Sequence, residues 1–220
     1  MHAARCIDVS KRYGQRWALT HVSMELPAGR SVLLTGPNGA GKTTLLKMLA
    51  TAGRPTRGRI ELFGLSVGEH ADALRPRVAM FGHATHLYED LSAAENLDLV
   101  ARFTRGEHRR TGEVLAQVGL KARAHSPVRT LSAGMKRRLA LGRVLMREPE
   151  LVLLDEPFTQ LDPEGVRLTE ELVRDLRRRW VTLVLATHDV ERGRALCELH
   201  LHIEAGSVGP LTPITQRPSA

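Results

Sequence analysis

The chain has 220 residues, of which 42% are hydrophobic and 25% are charged, and its formal net charge is +8 at pH 7. This length and composition are typical of a globular protein with a substantial core, and no apolar run reaches the length of a membrane span. The first residues also lack the apolar region of a signal peptide. We therefore expect the protein to be cytoplasmic.

The positive charge does not point to a nucleic-acid partner. Basic residues are scattered, apart from the clusters Lys136–Arg138 and Arg177–Arg179, and aromatic residues that could stack on bases are only 4% of the chain. We expect a solvated or membrane-proximal surface and no bound nucleic acid. The cysteines, Cys6 and Cys197, are far apart and in no metal-ligand spacing, which predicts free thiols and no structural metal.

The chain begins with two predicted strands joined by a turn. Residues 7–10 form a short strand, and residues 17–26 alternate apolar and polar side chains in their second half, as a half-buried strand does. The turn at residues 11–15 contains Tyr13. Its ring either stacks on an adenine base or packs on the edge of the sheet.

The rest of the chain is organised around the stretch Gly36–Thr44, which we call the phosphate loop. It fits the pattern G-x-x-x-x-G-K-[ST] and lies between a predicted buried strand at residues 31–35 and a predicted helix at residues 45–50. An ordinary glycine-rich turn would not require that strand–loop–helix context. The residues expected to bind the nucleotide are Gly36, Pro37, Asn38, Gly39, Ala40, Gly41, Lys42, Thr43 and Thr44.

The chemistry of the phosphate loop follows from its residue types. Glycines let successive N–H groups turn inward around an anion, and the N-terminus of the following helix adds the positive end of its dipole. Lys42 supplies a positive charge for the outer phosphates, and the hydroxyl group of Thr43 is a ligand for Mg²⁺. The stretch therefore predicts a nucleotide site with Mg²⁺ as a cofactor.

After the phosphate loop the pattern changes from strand to helix. Short apolar runs predict strands at residues 59–64 and 78–81. From about residue 92 to residue 145 the pattern is helical, and it begins with the capping box Ser92–Glu95. The last helix of this region is predicted at residues 135–147.

Strand character returns at residues 151–156, where four apolar residues precede Asp155 and Glu156. An aspartate that leaves a buried strand beside a phosphate loop can hold Mg²⁺ directly or through water, and the following glutamate is placed to polarise an attacking water. The alternative is structural, because an acidic pair before proline also suits a turn or a cap. The presence of the phosphate loop favours catalysis.

The C-terminal part completes an alternation of strands and helices. A long amphipathic helix begins at Pro163, and strands at residues 182–187 and 199–204 flank a helix that starts at Asp189. The Pro- and Thr-rich tail, residues 209–220, is expected to be poorly ordered. Because strands alternate with helices, we predict an open α/β sheet that binds ligands at the carboxyl ends of its strands.

The segment Leu131–Met135 narrows the choice of nucleotide-binding family. It resembles the L-S-G-G-Q signature of the ATP-binding-cassette (ABC) ATPases, from which Ala133 and Met135 depart. The resemblance covers about residues 4–208. The signature positions are Leu131, Ser132, Ala133, Gly134 and Met135, and the further matches are Leu161 and Asp162 for the D-loop, His188 for the switch histidine and Tyr13 for the adenine-stacking aromatic residue.

The resemblance implies an α/β fold of the P-loop NTPase type, with an ABC-type RecA-like core sheet and an inserted α-helical subdomain. A single ABC ATPase domain would then span residues 1–220. Its core would comprise about residues 1–83 and 150–208, its helical subdomain about residues 84–149, and its tail residues 209–220.

The resemblance also implies a dimer. In this family two domains meet head to tail, and each ATP lies between the phosphate loop of one subunit and the signature of the other. The second ATP-binding subunit would be an identical chain or a homologue. Ser132 would donate to the γ-phosphate of the partner's ATP, and Asp162 would connect the two sites. The implied catalytic residues are Glu156, His188 and His83, and Mg²⁺ is held by Thr43 and, through water, by Asp155.

One position departs from the family pattern. His83 stands where the family has a glutamine, at the end of the strand that enters the helical insertion. An imidazole can hydrogen-bond to water, but it is a poorer Mg²⁺ ligand than an amide oxygen, so direct metal contact at His83 is not expected. Together with Asp155–Thr159, the pair Gly82-His83 resembles the haem-exporter ATPases of cytochrome c maturation.

The function implied is that of the ATP-hydrolysing subunit of a transporter. A separate integral membrane subunit would dock near His83–Glu95 and the helical insertion, and would hold the protein at the inner face of the cell membrane. The alternative is a soluble ABC ATPase that acts in DNA repair, ribosome function or cluster assembly. Against it, the chain has no long coiled-coil insertion, no zinc-binding cysteine set and no second cassette.

Overall fold

The structure is a computed structural model, and it describes residues 1–103 and 110–215. These residues contain two β-sheets and seven α-helices, together with short 3-10 helices and loops. The strands are β1 (His2–Tyr13), β2 (Arg16–Pro27), β3 (Ser31–Thr35), β4 (Arg57–Leu62), β5 (Leu65–Ser66), β6 (Val78–Phe81), β7 (Leu151–Asp155), β8 (Thr182–Ala186), β9 (Leu199–Glu204), β10 (Ser207–Val208) and β11 (Thr212–Pro213). The helices are α1 (Lys42–Leu49), α2 (Val67–Leu74), α3 (Ala93–Phe103), α4 (Thr111–Gln117), α5 (Ala133–Met146), α6 (Pro163–Arg178) and α7 (Val190–Leu196).

The larger sheet has the order β10-β9-β3-β8-β7-β6, and β11 also pairs with β9. Its strands from β9 to β6 are parallel, whereas β10 and β11 are antiparallel to β9. The smaller sheet is antiparallel, with the order β2-β1-β4-β5. This arrangement confirms the predicted α/β fold.

The central strands of the larger sheet are buried along their whole length. Every residue of β3, β7 and β8 is buried, because a parallel sheet is covered on both faces. In β3, Leu33 packs into a core formed with α3 to α7, while Val32 and Leu34 pack into a second core formed with α1 and the smaller sheet. The phosphate loop therefore leaves a strand that is fixed from both sides.

Side-chain caps set the starts of two helices in the predicted helical region. The Ser92 N–H donates to Glu95 Oε2 at 2.7 Å and the Glu95 N–H donates to Ser92 Oγ at 3.2 Å, which confirms the capping box. The hydrogen bond that the Ser92 backbone donates to the carboxylate, followed by the interaction with the Ser92 side chain, lowers the pKa of Glu95. The helix predicted at residue 135 starts earlier, at Ala133, because Ser132 Oγ accepts from the Met135 N–H at 3.2 Å.

Several boundaries differ from the sequence predictions. β1 extends to Tyr13, so only Gly14 and Gln15 remain in the turn, and β5 and α2 were not predicted at all. The expected disorder of the tail is wrong for its first part, because β11 pairs with β9 and the Ile214 N–H donates to the Glu198 carbonyl at 2.8 Å. The remainder of that prediction, residues 216–220, lies outside the described residues. The domain boundaries stay predictions. The predicted helical subdomain also includes residues 104–109, which lie outside the described residues.

Both cysteines are free and buried. Burial raises the pKa of Cys6 and of Cys197 to about 12. The thiolate is the reactive form of cysteine, so both side chains are inert at neutral pH.

Two helical glycines provide a matched test of the packing between α7 and β3. A Cβ on Gly193 would lie 2.4 Å from Leu33 Cδ1, and Leu33 is fully buried, whereas a Cβ on Gly112 would have nothing within 4 Å. We expect Gly193→Ala to lower the free energy of unfolding by about 1–3 kcal/mol through overpacking. Gly112→Ala should leave it unchanged or raise it by about 0.5–1 kcal/mol. Urea denaturation of both variants measures this, and equal effects would contradict the packing described.

Candidate active site

The phosphate loop is shaped by the backbones of strands on either side of it. Gly36, Gly39 and Gly41 all have positive φ, at 151°, 78° and 113°. A Cβ on Gly36 would lie 2.0 Å from the Ile203 carbonyl oxygen, and a Cβ on Gly41 would lie 2.6 Å from the Ala18 carbonyl oxygen. No side chain fits at these two positions, which explains why the loop has glycine there.

Side chains at the start of α1 point into the loop and towards β7. The helix begins at Lys42 rather than at residue 45. Lys42 Nζ donates to the carbonyl oxygens of Gly36 at 2.7 Å and Pro37 at 3.1 Å. Thr43 Oγ1 donates to Asp155 Oδ2 at 2.7 Å. The predicted pair of Thr43 and Asp155 is therefore in direct contact, and a hydroxyl group beside a carboxylate is a donor set that suits Mg²⁺.

Glu156 and His188 also meet. His188 Nδ1 lies 2.8 Å from Glu156 Oε2, and the His188 N–H donates to the same oxygen at 3.3 Å. The Glu156 side chain is 14% exposed and that of His188 is 77% exposed, so the pair lies at the surface of the site. Glu156 adopts the left-handed conformation, with φ of 50°, which carries a strain of about 1–3 kcal/mol. This geometry holds one carboxylate oxygen at the mouth of the loop.

A cavity of about 350 Å³, which we call the loop cavity, is lined by Lys42, Thr43, Asp155 and Glu156, whereas His188 is not among its described lining residues. Its walls are the phosphate loop, the hairpin of β1 and β2, and the ends of β6 and β7. It brings together Tyr13, His83, Asp155 and Glu156 with the loop, as predicted from sequence. A side cavity of about 670 Å³ lies next to it and shares Thr43, His83 and Asp155 with it.

The signature and D-loop positions lie elsewhere. Among the described residues, those that line the loop cavity include none from Leu131–Met135 or Leu161–Asp162. The two segments are instead close to each other, since a Cβ on Gly134 would lie 3.7 Å from the Gln160 carbonyl oxygen. Asp162 caps α6, because its Oδ1 accepts from the Gly165 N–H at 2.8 Å.

Two arginines near the site were not singled out from the sequence. Arg16 lines the loop cavity. Arg137 is 3% exposed and donates to the carbonyl oxygens of Glu156 at 3.1 Å and His83 at 3.5 Å. Burial lowers the pKa of Arg137. Arg137 therefore connects α5 to the loop that carries Glu156 and to the loop that carries His83.

Comparisons with known proteins agree with this geometry. Residues 19–159 match a family model described as ABC transporter. The chain is 37% identical over 203 residues to the Nod factor export ATP-binding protein I of Burkholderia lata, which covers 90% of this chain and 67% of that protein. It is 38% identical over 202 residues to the daunorubicin resistance ATP-binding protein DrrA3 of Streptomyces coeruleorubidus, covering 90% of this chain and 64% of that protein.

Solved structures show the same fold. One is the ATP-binding subunit of an ABC transporter, with a TM-score of 0.89, 27% identity, and coverage of 96% of this chain and 90% of that one. Another is the dimeric post-hydrolysis state of an ATP-binding cassette bound to ADP and Pi. Its TM-score is 0.89 at 24% identity, and the match covers 97% of this chain and all of that chain, so it supports the fold alone.

The Ser132 cap can be tested apart from any activity. We expect Ser132→Ala to lower the free energy of unfolding by about 1 kcal/mol, because the Met135 N–H loses its acceptor. Ser132→Thr, which keeps a hydroxyl group, should lose less. Urea denaturation of both variants measures the difference, and an alanine variant as stable as the parent protein would contradict the cap.

Proposed function

The chain belongs to the ABC transporter family of ATP-hydrolysing domains, and we propose that it is the ATPase subunit of an export system that works with a separate membrane subunit. The observation that supports the catalytic part is that Thr43, Asp155 and Glu156 line one cavity with the phosphate loop. Within this group Thr43 is hydrogen-bonded to Asp155, and Glu156 contacts His188. Each pair joins residues that are far apart in the sequence and have complementary chemistry.

Nucleotide binding follows from the loop cavity. Tyr13 is 53% exposed, and Lys11 Nζ lies over one face of its ring, 5.1 Å from the centroid. We assign the other face of the ring to adenine, and the N–H groups of the phosphate loop and of α1 to the phosphates. Lys42 exchanges its two carbonyl partners for the outer phosphates. Thr43 and, through water, Asp155 would hold Mg²⁺, which neutralises phosphate charge when bound.

Hydrolysis is assigned to the carboxylate of Glu156. It would polarise the water that attacks the γ-phosphate, and His188 would position this carboxylate through the 2.8 Å contact, with its exposed ring available to the γ-phosphate. His83 lines both cavities and links them. We assign to His83 a water-mediated hydrogen bond to the reaction site rather than a metal contact.

A second subunit completes the site in this proposal. Ser132 lies at the N-terminus of α5, outside the loop cavity of its own chain, so it is available to the γ-phosphate held by a partner. The proximity of Gly134 to Gln160 supports a shared surface that also carries Asp162. ATP would close two such subunits, each an identical chain or a homologue, and hydrolysis would release them.

The membrane subunit is proposed to dock beside the side cavity. Among the described residues, none of the helices combines the length and the hydrophobicity that a membrane span requires. The side cavity opens next to the segment that follows β6, which is the predicted docking region His83–Glu95, and it shares Asp155 with the loop cavity. A partner bound there would lie next to residues that also line the loop cavity. In this proposal the protein would lie at the inner face of the membrane.

Export is proposed from the names of the relatives, which concern Nod factor export and daunorubicin resistance. Haem export rests on the pair Gly82-His83 with Asp155–Thr159 and stays a prediction about the substrate.

Glu156→Gln tests the catalytic assignment. We expect its kcat for ATP hydrolysis to fall by about 100-fold or more, because a positioned general base contributes about 10²–10⁴-fold. ATP affinity should be unchanged, and the variant should accumulate as an ATP-bound dimer in gel filtration. Glu113→Gln, which removes an exposed carboxylate on α4, is the control and should behave as the parent protein. Undiminished hydrolysis by Glu156→Gln would show that another group is the base.

Membrane association tests the transport assignment. We expect the tagged protein to be recovered from membranes together with an integral membrane protein. Ala84→Arg, at an exposed residue that lines the side cavity, should abolish this recovery and leave the ATPase activity of the isolated subunit intact. Thr212→Arg, on the exposed strand β11, should change neither. A protein recovered without any membrane partner would instead favour a soluble ABC ATPase.

A further inference from the structure

The hairpin of β1 and β2 places a second side chain beside Tyr13. Its turn consists of Gly14 and Gln15, with Gly14 at φ of 57°, and Tyr13 and Arg16 are direct cross-strand partners on either side of that turn. Residues directly opposite each other in an antiparallel pair share one face, with their Cβ atoms about 4.5–5.5 Å apart. Arg16 therefore lies next to the ring that we assign to adenine.

The guanidinium group of Arg16 extends from the hairpin to the phosphate loop. Its Nη2 lies 3.6 Å from the position that a Cβ on Gly39 would occupy, and both residues line the loop cavity. Gly39 has no side chain and a φ of 78°, so the guanidinium group approaches the backbone of the loop itself. Arg16 thus bridges the base end of the cavity and the loop that surrounds the phosphates.

Neighbouring basic side chains of this region have other partners, whereas Arg16 has none with a negative charge. Arg12 and Arg57 lie over the ring of Trp17, at 5.5 Å and 5.7 Å from its centroid. Lys11 Nζ donates to the Arg54 carbonyl at 2.8 Å. Within residues 1–103 and 110–215, no carboxylate forms an ion pair with Arg16. Its positive charge therefore remains available to an anion that enters the cavity.

We propose that Arg16 is a further nucleotide-binding residue, whose guanidinium group donates to the α- and β-phosphates of ATP on the side opposite the N–H groups of the loop. This inference rests on the proposed nucleotide site. Arginine suits the task because its planar group presents several donors at once to phosphate oxygens. Among the described residues that line the loop cavity, Arg16 and Lys42 are the arginine and lysine side chains, and Lys42 serves the outer phosphates, so Arg16 is the side-chain cation left for the α-phosphate.

The position of Arg16 determines which nucleotides it recognises. It lies at the Tyr13 end of the loop cavity, whereas Glu156 and His188 mark the end where the γ-phosphate is attacked. ATP and ADP carry the same α- and β-phosphates. The contact therefore strengthens the binding of both nucleotides to a similar extent, and it holds the product as firmly as the substrate. Arg16 would set overall nucleotide affinity rather than the preference for ATP.

Calorimetric titration of the full chain with ATP and with ADP tests the inference. We expect Arg16→Ala to weaken both nucleotides by about tenfold to a hundredfold, as the loss of charge-assisted hydrogen bonds does. Arg16→Lys should recover part of this loss. Arg12→Ala is the matched control, because it removes an arginine of the same hairpin that contacts Trp17 instead. The affinities of Arg12→Ala for ATP and ADP should stay within about twofold of the parent values. This change is well below the loss of affinity expected from removing one charged hydrogen bond.

The outcomes separate this inference from the function on which it rests. If the parent protein binds neither nucleotide, the proposed function fails. If the parent protein binds ATP and Arg16→Ala binds it equally well, only the role of Arg16 is overturned. If Arg16→Ala weakened the binding of ATP but not of ADP, Arg16 would contact the γ-phosphate. If it did not weaken the binding of 2′-deoxy-ATP, Arg16 would contact the ribose. Either result would overturn the assignment to the inner phosphates.

Discussion

The parallel pairing of β3, β8 and β7 is the constraint on which the site depends. Leu34 and Asp155 both pair with Ala186, so these three residues form one row across the sheet. The phosphate loop, Glu156 and His188 follow immediately after the row, on neighbouring strands. Because parallel strands end at the same edge, this register brings the phosphate loop, the carboxylates of Asp155 and Glu156 and the imidazole of His188 to one edge of the sheet.

In the function we propose, one chain holds only part of the site. Groups that bind and hydrolyse a nucleotide lie at the carboxyl edge of the sheet, while the N-terminus of α5 with Ser132 lies outside the loop cavity. A helix N-terminus capped only by its own serine has N–H groups left for an anion. Arg137 connects α5 to the loops of Glu156 and His83, so a movement of α5 would reach the catalytic edge.

The elements that could be predicted from the sequence are those whose structure depends on residues close together in the chain. The phosphate loop, the capping box of Ser92 and the buried strand that ends at Asp155 are each set by residues close in the chain. The start of α5 was missed because Ala133 and Gly134 look like loop residues without their cap. The strand β11 was missed because it exists only through pairing with β9. Arg16 and Arg137 were missed because their partners are distant in sequence.

The central claim is that each phosphate loop works with the signature of a second subunit. Cross-linking tests it directly, since Cys6 and Cys197 are buried, with pKa values of about 12, and stay unreactive. One preparation carries Asn38→Cys, another carries Ser132→Cys, and the two are mixed with a short bis-maleimide. The account predicts a covalent dimer of the two variants that forms with ATP and not without it. It would be contradicted if the mixture gave no such dimer with ATP, or gave it equally with and without ATP.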